Sequence, residues 1–93
     1  MKRFRRFGKF YVYMVQCQDG SYYTGYTNDL DKRIREHNNT KRRAKYLRGK
    51  VPVRLVYAKE YRYYKNALDA ERNLKKLTGK QKEGLIRVYE RTE

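Results

Sequence analysis

The chain has 93 residues, which predicts one small domain. Twenty-five Lys and Arg against ten Asp and Glu give a formal net charge of +15; a charge this high on so small a body indicates a polyanionic partner, unless it serves only solubility. Aromatic residues make up 15% of the chain and eleven of them are Tyr, a composition that excludes intrinsic disorder.

Membrane and secretory segments are not expected. No run approaches the roughly 18 apolar residues of a membrane span, and the basic N-terminus is not followed by the apolar core of a signal peptide. Cys17 has no second cysteine to pair with, and one Cys with one His does not build a zinc site. We therefore expect a cytoplasmic monomer without membrane contact.

The first third of the chain predicts an arm, a hairpin and a helix. Residues 1–9 alternate basic residues with Phe and are typical of a flexible arm, either a nucleic-acid-binding extension or a solubilising tail. The β-forming run 10–17, a Gln-Asp-Gly turn and the run 21–27 predict two strands. Asn28 or Asp29 then caps a short helix, LDKRIREH.

The rest of the chain predicts a third strand and two more helices. Residues 38–52 are rich in Lys and Arg, lack acids and predict a basic loop outside the core; 54–61 predicts the strand. Two capping-box patterns precede the helices: Asn66 with Asp69 for a helix to Leu77 that stops at Gly79, and Thr78 with Gln81 for one to about Tyr89. The order ββα-β-αα predicts an α+β fold, a small three-stranded, mainly antiparallel sheet flanked by helices.

Polar side chains interrupt the apolar stripes of two predicted helices. The spacing i, i+3, i+4, i+7 places Arg33 and His37 on the face of Leu30 and Ile34. In the next helix the same spacing places Glu71 among core-facing residues, namely Ala67, Ala70 and Leu74. Unpaired buried charges cost several kcal/mol, so such residues are usually paired or metal-bound.

Two interpretations of these polar residues stay open from the pattern alone. One is a structural Arg33–Glu71 salt bridge with His37 hydrogen-bonded nearby. The other is a polar site between the helices and the sheet, where Glu71 binds a divalent cation and Arg33 neutralises a phosphate.

The motifs, taken in order, resemble those of the GIY-YIG nuclease superfamily and, over residues 10–90, its small stand-alone single-domain branch. Tyr11-Val12-Tyr13 matches GIY with the glycine replaced, and Tyr23-Thr24-Gly25 matches YIG. Arg33 and His37 match the helix motif R-x3-H/Y, and Glu71 matches the metal-binding glutamate. The segments AKYLRGKVPVRLVY and LKKLTGKQKEGLI are similar to the stand-alone branch in particular.

The resemblance implies a metal-dependent endonuclease that hydrolyses phosphodiester bonds of nucleic acid, with DNA as the expected substrate and a repair role by analogy. Glu71 would hold one Mg²⁺ or Mn²⁺. Tyr13 would act as general base or orient the attacking water, with Arg33 or the metal lowering its pKa. Arg33 would neutralise the scissile phosphate, and Tyr23 and His37 would position that phosphate or relay protons.

Two departures from the family pattern matter. Tyr11 replaces the first glycine, which we expect to affect packing more than chemistry. Many family members also carry a phosphate-binding asparagine after the glutamate helix, whereas none follows Asn73 here. Lys75 or Lys76 could take that role, or the role is absent.

Two non-catalytic interpretations compete with the nuclease: a basic nucleic-acid-binding module, and a nuclease fold used for protein interaction, which predicts no salt-dependent DNA affinity. Glu71 discriminates against the first, because a phosphate binder gains nothing from a carboxylate in its groove. The expected phosphate contacts are Lys41, Arg42, Arg43, Lys45, Arg48, Lys50, Lys75 and Lys76.

The length of the hairpin loop decides whether Tyr13 and Tyr23 share a face. A two-residue Asp19-Gly20 turn would pair Tyr13 with Tyr26 and place the two tyrosines on opposite faces. A three-residue loop, with Gly20 at positive φ, pairs Tyr13 with Gly25 instead. Both tyrosines would then share a face with Arg33, His37 and Glu71, and any side chain at Gly25 would crowd Tyr13.

Overall fold

Three strands and three helices follow one another in the predicted order. The computed structural model describes residues 7–92. The elements are β1 (Phe7–Gln16), β2 (Tyr22–Thr27), α1 (Leu30–Asn39), a 3-10 turn (Lys45–Leu47), β3 (Arg54–Tyr63), α2 (Tyr64–Lys75) and α3 (Gly79–Thr92). The strands pair antiparallel in the order β2-β1-β3, which confirms the predicted α+β class. Among the described residues, every helix is too short or too polar to cross a bilayer.

The central strand β1 is buried on both faces, because its side chains alternate between two helical layers. On one face Tyr13 and Val15 pack with Leu47 and Val53, and α1 covers them through Leu30 and Ile34. The opposite face lies against α2 and α3; its buried residues are Phe10, Val12, Ala67 and Leu74 in one cluster and Met14, Val56 and Ile86 in another.

The hairpin has the three-residue loop, the alternative that places Tyr13 and Tyr23 on one face. The backbone N–H of Cys17 donates to the carbonyl of Ser21 at 2.8 Å, and Gly20 has φ +87°. Tyr13 pairs with Gly25, and Val15 pairs with Tyr23. A left-handed residue closes such a loop without strain when it is glycine.

Helix α1 begins where the sequence predicted, whereas strand β1 begins three residues earlier than predicted. Asp29 caps α1 as expected, since its carboxylate accepts a hydrogen bond from the backbone N–H of Lys32 at 3.2 Å. Strand β1 already begins at Phe7, so residues 7–9 of the predicted arm are strand. The sheet extends there because Phe7 pairs with Tyr63 of the long strand β3; the remainder of the predicted arm, 1–6, lies outside the described residues.

The predicted capping box at Asn66 and Asp69 is wrong. Helix α2 begins at Tyr64, directly after β3, and its cap residue Tyr63 makes no side-chain capping bond. Packing sets this start instead, because the ring of Tyr64 lies edge-on to Phe10 at 5.7 Å.

The second capping box is confirmed, but it moves a helix boundary. The N–H of Thr78 donates to Oε1 of Gln81 at 2.9 Å, and the N–H of Gln81 donates to Oγ1 of Thr78 at 3.2 Å. Gly79, predicted as a stop, therefore opens α3, while α2 ends at Lys75.

The basic loop also contributes to the core, against expectation. Leu47 is completely buried against Tyr13 and Val15. One apolar residue among basic ones has no periodicity, so the sequence pattern carried no signal of its burial.

Candidate active site

Tyr13, Tyr23 and His37 come together over the β1–β2 hairpin. The register places the two tyrosines on one face, with ring centroids 6.4 Å apart. Helix α1 brings the His37 ring to 5.9 Å from Tyr13 and 5.6 Å from Tyr23. The Tyr13 hydroxyl lies 2.7 Å from Nε2 of His37, within a buried hydrogen bond.

Gly25 makes room for the Tyr13 side chain. A Cβ at position 25 would lie 2.6 Å from the Tyr13 hydroxyl oxygen and 2.8 Å from the ring carbon that bears it. Tyr13 therefore reaches across its cross-strand partner toward the edge strand β2, which confirms the predicted crowding. The glycine of the Tyr-Thr-Gly motif is required by contact, since its φ is not in the left-handed region.

The tautomer of His37 follows from its second partner. The backbone N–H of Ala44 donates to Nδ1 at 3.2 Å. A backbone N–H can only donate, so Nδ1 is unprotonated and the neutral ring carries its proton on Nε2. That proton is donated to the Tyr13 oxygen. Burial, and next the charge of Arg33, lower the pKa of His37 to about 4, so the ring is neutral at pH 7.

His37 is completely buried. In this structure its ring contacts Tyr13 and is not open to a phosphate, which was one of the two partners expected for it.

Tyr13 keeps its proton in the resting protein. Burial raises the pKa of its hydroxyl well above the ordinary value of 10, and Tyr23 adds to the increase. The charge of Arg33 acts in the opposite direction but is outweighed. Arg33 thus lowers the pKa of Tyr13 as expected, through its charge and a side-chain hydrogen bond, but burial raises that pKa more, because the ring is only 1% exposed and loses its hydration.

Arg33 is held at the rim by two bonds from one nitrogen. Its Nη1 donates to Oε1 of Glu36 at 3.1 Å and to the carbonyl of Arg42 at 2.8 Å. Its guanidinium also donates a hydrogen bond to Tyr13, and its side chain stays 26% exposed, so its charge can still meet an anion at the rim.

Glu71 makes an ion pair with Lys75, whose Nζ is 3.2 Å from Oε2. The alternative of an Arg33–Glu71 salt bridge is wrong, because among the described residues each has another partner. Glu71 is 8% exposed on α2, which packs on the face of β1 opposite Tyr13. Its helix therefore does not lie on the face of the sheet that carries Tyr13, Tyr23 and His37, although Glu71 was expected from the sequence to share that face.

Glu71 still acts on the tyrosines electrostatically. Its charge raises the pKa of Tyr13 on one face and that of Tyr26 on the other, although it is a minor cause for each beside burial and, for Tyr26, the hydrogen bond to Tyr64. Its partner Lys75 lines a cleft together with Tyr23 and Thr24, so the Glu71–Lys75 pair lies beside the edge strand β2. Within residues 7–92, no three His, Cys, Asp or Glu side chains converge as a metal site.

The predicted phosphate contacts fall into three groups. Lys41, Arg43 and Arg48 line an open concavity of about 520 Å³ between the end of α1 and the basic loop, and Lys45 is exposed on the 3-10 turn. Arg42 and Lys50 are 3.9 and 3.6 Å from Glu36 and Asp19. Lys75 pairs with Glu71, and Lys76 caps α2.

Tyr46 belongs to the site but was not predicted. Its ring stacks on Tyr23 with a centroid distance of 5.9 Å and an interplanar angle of 23°. Nζ of Lys50 lies 3.6 Å from its ring centroid. No sequence signal linked this loop residue to a tyrosine 23 positions earlier, because the contact exists only once the loop folds back over the hairpin.

Comparisons with known proteins agree with this geometry. The family model for the GIY-YIG catalytic domain matches residues 9–84. A UPF0213 protein of Clostridium perfringens is 50% identical over 76 residues, 82% of this chain and 81% of that protein. UPF0213 protein YazA of Bacillus subtilis is 47% identical over 73 residues, 78% of this chain and 73% of that protein.

Solved structures show the same fold. The solution structure of the UPF0213 protein BH0048 from Bacillus halodurans has a TM-score of 0.57 and 41% identity, over 87% of this chain and 85% of that one. The protein EF2693 from E. faecalis has a TM-score of 0.59 and 36% identity, over 97% and 92%.

Proposed function

The chain belongs to the GIY-YIG catalytic domain family, in its branch of small stand-alone UPF0213 proteins, and from this we propose that it is a metal-dependent endonuclease that hydrolyses phosphodiester bonds of DNA in the cytoplasm. The observation that carries the proposal is the buried chain from the Ala44 N–H through His37 to the Tyr13 oxygen, closed on its far side by Gly25. A domain that only packs its strands has no need of so directed a hydroxyl. A part in DNA repair stays a prediction from the resemblance.

Glu71 fits the requirements of a hard divalent cation. It is a nearly buried carboxylate with one oxygen facing Lys75, and its other oxygen makes no hydrogen bond or ion pair among the described residues. Mg²⁺ binds through one or two carboxylates plus water and substrate phosphate, so one glutamate is sufficient. When bound, Mg²⁺ or Mn²⁺ would supply charge neutralisation at the phosphate and a more acidic bound water.

The protein groups divide the remaining tasks of hydrolysis. Water attacks phosphorus and releases a proton to solvent, the bond to one sugar oxygen breaks, and that oxygen takes up a proton from solvent. His37 donates Nε2–H to the Tyr13 oxygen and so fixes its direction, and Tyr13 can donate its own O–H to orient the attacking water. The raised pKa favours this orienting role over that of a base in the resting protein. The exposed part of the Arg33 guanidinium neutralises the phosphate.

A non-catalytic nucleic-acid-binding module is the second candidate. The Glu71–Lys75 ion pair favours it, because a carboxylate neutralised by its own helix could be structural. The endonuclease should lose cleavage when Glu71 loses its carboxylate, whereas a binding module has no cleavage to lose.

The decisive experiment is cleavage of single-stranded, duplex and branched DNAs with Mg²⁺ or Mn²⁺, wild type beside Glu71→Gln. We expect cleavage to fall about 100-fold or more, as for other single groups that stabilise transition-state charge, with DNA affinity and folding retained. Glu83→Gln, the same change at an exposed position of α3, is the matched control and should be fully active. Metal-dependent cleavage by Glu71→Gln at the wild-type rate removes Glu71 from the mechanism; no cleavage by wild type favours the binding module.

A further inference from the structure

A second concavity adjoins the candidate active site. It has a volume of about 270 Å³ and is lined by Tyr22, Tyr23, Thr24, Tyr46, Lys75 and Lys82. Two of these residues connect it to the proposed chemistry: Tyr23 packs against Tyr13, and Lys75 pairs with Glu71. A group in this cleft would therefore lie next to the reacting phosphate.

The cleft offers an aromatic surface that is already held in place. Tyr46 is 45% exposed although it stacks on Tyr23. Lys50 lies over its ring and is itself 3.6 Å from Asp19, so Tyr23 and this charged pair cover part of the ring and hold it in place, and the exposed remainder is the surface open to a ligand. An aromatic ring held this way loses little conformational freedom when a planar ligand stacks on it.

The remaining lining suits the other parts of a nucleotide. Lys75 and Lys82 place two cations at the rim, at positions suited to phosphate oxygens. Thr24 contributes a buried hydroxyl that has no hydrogen-bond partner among the described residues. The volume is just below the range of ordinary ligand pockets, which suits one ring system rather than a whole nucleotide.

We propose that this cleft is a nucleobase subsite: the base next to the scissile phosphate leaves its stack and lies on the part of the Tyr46 ring that Tyr23 and Lys50 leave exposed, with its phosphates toward Lys75 and Lys82. The subsite rests on the proposed function for its place beside a scissile phosphate, but base binding itself needs no catalysis. Stacking of one base on an aromatic side chain is worth roughly tenfold to a hundredfold in affinity.

The test is binding of fluorescein-labelled single-stranded oligonucleotides in EDTA, where metal-dependent cleavage is prevented. Tyr46→Leu should weaken binding about tenfold, and Tyr46→Phe should bind like wild type because it keeps the ring. Tyr63→Leu is the matched control, since Tyr63 is 49% exposed at the end of β3, and it should change affinity less than twofold.

The decisive comparison uses the same oligonucleotides with abasic residues. Tyr46→Leu and wild type should bind the abasic strand equally, because no base remains to stack. Equal weakening of intact and abasic strands by Tyr46→Leu, or no weakening of either, overturns the subsite. If wild type shows this base-dependent pattern but cleaves no DNA, the proposed function fails while the subsite stands.

Discussion

Neighbouring residues of β1 contact very different partners, because their side chains point to opposite faces of the sheet. On one face Tyr13 meets His37, Tyr23 and the charge of Arg33, and its hydroxyl is directed by a hydrogen bond. On the other face Val12 and Met14 pack against aliphatic and aromatic residues of α2, α3 and β3.

This difference shows how a domain with few residues can place a candidate site and a hydrophobic core on the same strand. The two-residue period of a strand lets one segment supply both a site and a core. Glu71 departs from the division, because its helix belongs to the apolar face while its charge acts on Tyr13 across the sheet edge. Substitutions on the first face should therefore change chemistry more than stability, and those on the second should do the reverse.

The largest effect on activity should come from Tyr13→Phe set against Met14→Ala. Tyr13→Phe removes the directed hydroxyl and should lower kcat about 10²- to 10⁴-fold, while the unfolding free energy falls by about 1–3 kcal/mol because the buried Nε2–H of His37 loses its acceptor. Met14→Ala empties a completely buried position and should cost about 2–5 kcal/mol, while the folded fraction keeps its kcat. Single-turnover kinetics beside urea unfolding separates the two, and equal losses of both quantities by both variants would contradict the division.

Gly25→Ala should affect both properties, since position 25 touches Tyr13. The added Cβ overlaps the hydroxyl, and the ring cannot move without breaking its bond to His37. We expect about 1–3 kcal/mol of destabilisation and loss of most activity. Gly84→Ala on α3 meets open space and should stabilise by about 0.5–1 kcal/mol. Thermal unfolding of both variants checks the opposite signs.

Acid should weaken the first face through His37, the single histidine. Because burial lowers its pKa from 6.5 to about 4, the unfolded chain binds this proton more readily. Stability is then complete above pH 6.5 and decreases as the pH falls through 4, by roughly 3–3.5 kcal/mol in total. Urea unfolding of wild type and His37→Gln across this window checks it; the same pH slope in both would assign the effect to carboxylates.

The smallest effect should be on the salt dependence of nucleic-acid binding, and it should differ between basic residues on the α1 side and on the α3 side of the sheet. Arg48 lines the concavity beside α1, whereas Arg87 is exposed on α3. Arg48→Ala should reduce the slope of log affinity against log salt by about one, the value of one phosphate contact, and Arg87→Ala should leave it unchanged. Equal slopes for both variants would mean that nucleic acid does not distinguish the two sides.

Local patterns predicted the elements well where a repeating signal existed. Alternation and the Gln-Asp-Gly turn predicted the hairpin, and Asp29 and the Thr78–Gln81 box predicted two helix starts. The register of the hairpin was predicted only with the shared tyrosine site that the family resemblance implies. The prediction failed where β3 leads directly into α2, because the start at Tyr64 depends on an aromatic contact with Phe10, a residue from another part of the chain.

By itself, the sequence determined the order of the elements, because that order depends on local patterns. The shared face of Tyr13 and Tyr23 and the need for Gly25 followed from the sequence once the family resemblance required one site for both tyrosines. Tertiary structure decided the rest. It turned His37 into a donor to Tyr13 through the Ala44 N–H, paired Glu71 with Lys75, and stacked Tyr46 on Tyr23. It also raised the pKa of Tyr13, because desolvation depends on everything packed around a group and not on its neighbours in sequence.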